Sequence, residues 1–120
     1  MSVNTVLIVD DSATERTNLE LIINDVGCRV LTADSGQKAL EIAEDKHPDL
    51  IFLDIIMDNM DGFQTCRTLH ESQTTRDIPV VMVTGKGHKA DKMWATEQGA
   101  RGYVTKPYSK EQILEQIKRF

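Results

Sequence analysis

Short apolar runs that each close on polar residues alternate along this chain with segments of helical period, and that alternation narrows the fold more than any other feature. Val6-Leu7-Ile8-Val9 leads into Asp10-Asp11, Leu50-Ile51-Phe52-Leu53 into Asp54, Val80-Val81-Met82-Val83 into Thr84, and Tyr103-Val104-Thr105 into Lys106-Pro107. The pattern predicts an α/β domain, a doubly wound parallel sheet covered by helices on two faces. Strands are expected near Thr5 to Val9, Arg29 to Ala33, Leu50 to Asp54, Val80 to Thr84 and Gly102 to Thr105. Three of them are continuously apolar, as strands buried on both faces should be. Parallel strands bring all four polar endings to one edge, where open α/β sheets bind ligands.

Capping signals set the helices. Ser12 with Glu15 three residues on reads as a capping box, followed by Leu19, Ile22, Ile23 and Val26 on an inner face and Gly27 as a stop. Asp34 with Gln37 repeats the device ahead of Ala39, Leu40 and Ala43, and that helix must end before His47-Pro48. Asp61-Gly62 opens a third helix with Phe63, Cys66 and Leu69 inward. A fourth runs from about Lys89 to Gln98, stops at Gly99 and has the weakest apolar stripe. A fifth starts from Ser109 with Gln112 as box partner, packs Ile113, Leu114 and Ile117, and ends at Phe120.

A chain of 120 residues suits one domain, 1–120, without an output domain, linker or repeat. Its 14 basic against 19 acidic residues, net charge −5, offer nucleic acid and anionic lipid no broad attraction. Met1-Ser2-Val3-Asn4-Thr5 lacks the pattern of a signal peptide, and no apolar run reaches the roughly 20 residues of a membrane span. A soluble, cytoplasmic protein is expected. Cys28 and Cys66 lie far apart without ligand spacing and read as reduced thiols.

Asp10, Asp11 and Asp54 brought within about 5 Å would repel by roughly 3 kcal/mol per pair at an effective dielectric near 20. Such a cluster requires a cation or a proton, and carboxylate oxygens on a wet strand edge suit Mg²⁺, which takes one or two protein carboxylates and keeps its waters. Asp54, ending the most apolar strand, is the best nucleophile; a carboxylate can accept a phosphoryl group as an acyl phosphate. Lys106 supplies charge neutralisation, and Thr84 a hydroxyl for the new phosphoryl group.

With these residues in place the chain resembles a receiver domain of two-component signalling, the CheY-like family. The resemblance covers essentially all 120 residues. It rests on Val9-Asp10-Asp11-Ser12, Leu53-Asp54-Ile55-Ile56-Met57, Met60-Asp61-Gly62, Val83-Thr84-Gly85, Gly99-Ala100 and Tyr103-Val104-Thr105-Lys106-Pro107. It implies a flavodoxin-like fold with five strands in the order 2-1-3-4-5 and five helices. It implies that Asp54 takes a phosphoryl group from a histidine kinase or phosphotransfer domain. Asp11, Asp54 and the backbone carbonyl of Ile56 would ligate Mg²⁺, with Asp10 acting through water, and the Lys106–Pro107 bond would be cis. On phosphorylation Thr84 would move towards the phosphoryl group and Tyr103 would turn inward, altering the face made by the fourth helix, fifth strand and fifth helix for a downstream protein. A monomer that is a regulator rather than an enzyme is implied.

Lys92-Met93-Trp94-Ala95 with Gln98-Gly99-Ala100-Arg101 resembles, more narrowly, the stand-alone PilG and PilH type of regulator in type IV pilus chemosensory systems, which points to twitching motility or chemotaxis-like signalling. Two features depart from the family pattern: Asp58 stands where Pro is usual, and Gly85-Lys86-Gly87 follows Thr84 where a less flexible stretch is common. Competing readings remain. A small-molecule phosphotransferase would need a substrate-enclosing cap, for which there are no spare residues. A phosphorylation-independent interaction module would not need the acids and lysine kept here. Taken singly, the aspartates could be turn and cap residues, Thr84 a β-branched strand residue, and Tyr103 and Trp94 packing groups. Lys86, Lys89, Lys92, Lys110 and Lys118 read as a solvated rim, with a docking role for some as the alternative.

Overall fold

Residues 3–120 are described by the computed structural model; Met1 and Ser2, which open the segment read as lacking a leader, lie outside the described residues. Strands and helices alternate in the order β1 (Thr5–Val9), α1 (Ala13–Asp25), β2 (Arg29–Ala33), α2 (Gly36–Lys46), β3 (Leu50–Leu53), α3 (Gly62–Glu71), β4 (Val80–Thr84), α4 (Lys89–Glu97), β5 (Gly102–Thr105) and α5 (Lys110–Arg119). All five strands pair in parallel in the order β2-β1-β3-β4-β5. The expected sheet is therefore the observed one, with β3 ending at Leu53 so that Asp54 stands just beyond the strand.

Strand pleating sorts the apolar residues into two cores. Leu7, Val9, Ile51, Leu53, Val80 and Met82 face Ala39, Ala43, Cys66, Leu69 and Ala95 of α2, α3 and α4. Val6, Ile8, Leu50, Phe52, Val81, Val83 and Val104 face Leu19 and Ile23 of α1 and Ile113 of α5. The division follows from handedness: the chain steps one way across the sheet through α1 and the other way through α2, α3 and α4, and right-handed crossovers put those helices on opposite faces. Phe52 is 1% exposed, and burying a side chain of that size contributes about 2 to 3 kcal/mol.

The helix starts were only partly as expected. Ser12 caps α1 by accepting from the Glu15 N–H at 3.3 Å, but among the described residues the reciprocal side-chain bond of a capping box is found only in α5, between Ser109 and Gln112. Helix α2 is capped by Ser35, not Asp34; the Ser35 hydroxyl accepts from the Lys38 N–H at 3.1 Å. Val26, expected on the inner face of α1, is 45% exposed because it lies past the helix end, where Gly27 turns the chain at φ +87°. Ile22, Leu40, Phe63, Leu114 and Ile117 are half-buried rather than buried. Ala95 is the buried residue of α4, in keeping with its weak stripe.

Candidate functional site

The chain leaves β1 and β3 towards opposite faces of the sheet, and the cleft between their carboxyl ends holds the charged residues. Asp10 and Asp54 each follow one residue after the paired Val9 and Leu53, so register alone sets them side by side. Their backbones continue the ladder: the Asp10 N–H donates to the Ala33 carbonyl at 3.1 Å and the Asp54 N–H to the Val9 carbonyl at 3.0 Å. Each carboxylate is then oriented by its own loop. Asp10 Oδ1 accepts from the Ser12 N–H at 2.9 Å, and Asp54 Oδ1 from the Ile56 N–H at 3.2 Å.

The remaining oxygens converge on one amine. Lys106 Nζ donates to Asp10 Oδ2 at 2.8 Å and to Asp54 Oδ2 at 3.1 Å, although 96 and 52 residues of chain separate the partners. Its backbone N–H donates to the Thr84 carbonyl at 2.8 Å, continuing the β4–β5 ladder, and the Lys106–Pro107 bond is cis. Two carboxylates, 6% and 7% exposed as residues, thus share one ammonium, leaving an excess negative charge in a site largely withdrawn from water. Burial pushes the Asp10 carboxyl above its usual range, aided by the Asp54 charge, against the Lys106 and Ser12 bonds that pull it down. Burial works to lower the Lys106 amine, but the Asp10 bond and the charges of Asp54 and Asp10 hold it above its usual range as an ammonium.

Asp11 takes no part in this convergence. It is exposed, and among the described residues no group of three or more His, Cys, Asp and Glu side chains is placed to hold a metal ion. Asp10 and Asp54 are the acids that share Lys106, and Asp11, the next residue after Asp10 at the same strand end, is exposed. The pair still fits a hard divalent ion. It offers oxygen donors, carries uncompensated negative charge and stands at a partly open edge, and Mg²⁺ needs only one or two protein carboxylates.

Thr84 is fully buried at the end of β4, its Oγ1 3.5 Å from the Lys86 N–H. Tyr103 is half-buried against the α2–α4 core and its hydroxyl donates to the Lys86 carbonyl. Burial raises its phenol to about 12, with the Asp91 and Asp54 charges contributing. Lys92 Nζ lies 5.8 Å from the centre of the same ring. Trp94 is 47% exposed and meets Phe63 edge-on at 6.4 Å between α4 and α3.

Three neighbours were not anticipated. Glu15, expected to cap α1, instead points its carboxylate to Lys106 Nζ at 3.6 Å. Arg16 donates from Nη1 to the Asp10 carbonyl at 2.8 Å. Gly62 lies under the Asp54 carbonyl, and a Cβ there would stand 2.3 Å from that oxygen. Of the departures from the family pattern, Asp58 is exposed, and Gly85 has open space where a Cβ would go. Gly85→Ala should therefore raise the unfolding free energy by about 0.5 kcal/mol in urea titration, by restricting the unfolded chain without a clash; a loss beyond 1 kcal/mol would contradict the open geometry.

A doubly wound sheet in this order, with an acid pair and a lysine at its switch point, defines a class of signalling module. The chain belongs to the response regulator receiver domain family, which matches residues 6–118. It is 41% identical to protein PilH of Pseudomonas aeruginosa over 112 residues, 93% of either chain, and 41% identical to protein PilG of the same organism over 113 residues, 94% of this chain and 84% of PilG. Among solved structures it superposes on the chemotaxis protein CheY4 of Vibrio cholerae with a TM-score of 0.92 at 30% identity, covering 98% of each chain. It is a CheY-like receiver of two-component signalling, of the PilG and PilH type.

Proposed function

We propose that residues 1–120 act as one receiver domain in which Asp54 is the phosphoacceptor, charged from the phosphohistidine of a histidine kinase or phosphotransfer domain. The observation that carries this reading is the single ammonium of Lys106 held between Asp10 at 2.8 Å and Asp54 at 3.1 Å. Asp54 Oδ2 accepts from Lys106 while its Oδ1 accepts from the Ile56 N–H, so the attacking carboxylate is oriented before any donor arrives. Lys106 holds its proton and its position, ready to contact the phosphoryl oxygens as charge gathers on them. Mg²⁺, held by Asp54, Asp11 and the Ile56 carbonyl with Asp10 through water, would neutralise the acids and the incoming phosphoryl oxygens.

Thr84 and Tyr103 then link acceptor to surface. Thr84 lies at the end of β4 beside β5, and Tyr103 on β5 reaches back to the loop that follows Thr84. Movement of Thr84 towards the phosphoryl group shifts that loop, and with it the exposed face of α4, β5 and α5 that a downstream protein binds. The protein works as a monomer in the cytoplasm, in pilus or chemotaxis-like signalling. Among the described residues no helix is long and apolar enough to cross a membrane.

Incubation with Mg²⁺ and acetyl phosphate, followed by intact mass measurement, tests the acceptor. The expected result is one added phosphoryl group on the wild type and none on Asp54→Asn. An equal adduct on Asp54→Asn, or none on the wild type, overturns the assignment.

A further inference from the structure

The loop that leads from Asp54 to α3 is tied down at its ends and open in its middle. The Ile56 N–H donates to Asp54 Oδ1 at 3.2 Å, and the Ile55 carbonyl accepts from the Gly62 N–H at 2.9 Å. Between these ties Ile56 is 56% exposed, and Asp58 and Asn59 are exposed. Asp58, unlike the Pro usual at its place, leaves φ unrestricted. Asn59 then turns left-handed at φ +63°, a region that residues other than glycine occupy rarely.

Met60, the next residue, leans on a different helix. A Cβ built on Gly36, the first residue of α2, would overlap Thr65 Oγ1 and stand 3.0 Å from Met60 Sδ and 3.1 Å from Met60 Cγ, so the thioether lies against the α2 backbone. Thr65 is fully buried there, and its hydroxyl donates to the Asp61 carbonyl at 2.9 Å, fixing the residue that follows Met60. Met57 packs on the α2–α4 core, whereas Met60 belongs to neither core. Its packing therefore serves the loop rather than the sheet, and it ties that loop to a helix that gives no side chain to the acid pair or its ammonium.

We propose that Met60 is a positioning residue for the divalent-cation site, holding the Ile56 carbonyl in place through the short turn between them. This rests on the reading in which that carbonyl, with Asp54 and Asp11, takes Mg²⁺. A backbone carbonyl has no rotamer of its own and points where the path of its chain sets it, so what fixes the loop fixes that ligand.

Titration of the full chain with MgCl₂, followed by backbone amide chemical shifts, reads affinity for the ion without phosphoryl transfer. Met60→Ala should weaken Mg²⁺ binding about tenfold, the lower end of what the loss of a residue orienting a metal ligand costs. Met60→Leu, a volume-conserving exchange, should bind within about twofold of the wild type. A Met60 that only stabilised the fold would leave the affinity of the folded protein unchanged. Urea titration establishes that each variant is folded under the conditions used, and Met60→Val takes the place of Met60→Ala if that variant is not. Labelling by acetyl phosphate gives the second readout: the Mg²⁺ concentration for half-maximal rate should rise about tenfold in Met60→Ala, with the rate at saturating Mg²⁺ nearly kept. A folded Met60→Ala or Met60→Val that binds Mg²⁺ as tightly as the wild type overturns the role of Met60 and leaves Asp54 standing as acceptor. A wild type that binds Mg²⁺ but takes no phosphoryl group overturns the acceptor assignment, while the affinity ratio still decides Met60. A wild type that binds no Mg²⁺ overturns the cation site and the role of Met60 together.

Discussion

Lys106→Met should lower the unfolding free energy at neutral pH, without added divalent cation, by about 3 kcal/mol. Methionine keeps most of the aliphatic stem and removes only the charge, so the loss reads the electrostatics. Asp10 and Asp54 are then two adjacent, nearly buried carboxylates with no cation between them, and leaving a buried charge uncompensated is among the costliest single changes a domain meets. The backbone bond from Lys106 to the Thr84 carbonyl survives, so β5 stays paired.

The sign of the pH dependence follows from the same charges. Lys106 is raised above 10.5, so its contribution is complete at neutral pH and is lost only as alkali deprotonates the folded amine. Asp10 is raised above 3.8, so the folded state binds more protons than the unfolded chain between that value and its own, and stability falls as pH rises through that window. Removing Lys106 takes away a cause that pulls Asp10 down, and the window widens. The deficit of Lys106→Met should shrink as pH is lowered from 7 towards the carboxylate range, and Asp10→Asn in the same chain should recover most of it at pH 7. A Lys106→Met protein as stable as wild type across this range would mean that the shared ammonium is not what holds the acids together.

That this site was legible before any coordinates comes from one geometric fact: in a parallel sheet every strand ends at the same edge. No local spacing connects Lys106 with Asp10, 96 positions away, yet both had to lie at that edge once the apolar runs were taken as parallel strands. The runs were readable because strands buried on both faces leave no polar alternation, as Leu50–Leu53 shows. What failed was decided within single turns. Asp34 and Ser35 are both good caps, and only the phase of α2 against the sheet selects Ser35. Glu15 satisfied the local pattern of a capping box, but an ammonium folded in from residue 106 outcompeted the backbone for its carboxylate. Val26 kept the helical period of α1 although the helix had ended before it. Asp10 and Asp11 are alike as letters, and only the structure shows that Asp10 is the one buried against Lys106 while Asp11 stays exposed.

Gly62, which the sequence offers as a helix start and as part of the Met60-Asp61-Gly62 motif, carries the second large effect. It is the first residue of α3, its N–H donates to the Ile55 carbonyl at 2.9 Å, and the loop after Asp54 folds back over it. A Cβ added there would lie 2.3 Å from the Asp54 carbonyl oxygen, 2.6 Å from the Ile55 Cα and 2.9 Å from the Asp54 carbonyl carbon. All three are backbone atoms, so no rotamer change can make room; either α3 moves out or Asp54 moves up. Overpacking typically costs 1 to 3 kcal/mol where side chains can yield, and here they cannot, so Gly62→Ala should lose about 3 kcal/mol or more in urea titration with an unchanged slope. The folded fraction should also label more slowly with acetyl phosphate, since the displaced backbone is that of Asp54, the proposed acceptor. Gly85→Ala is the internal control, the same change of residue in open space at the neighbouring strand end. If Gly62→Ala unfolds within 1 kcal/mol of the wild type, the loop after Asp54 is not packed on α3 in solution, and the preset orientation of the Asp54 carboxylate loses its support.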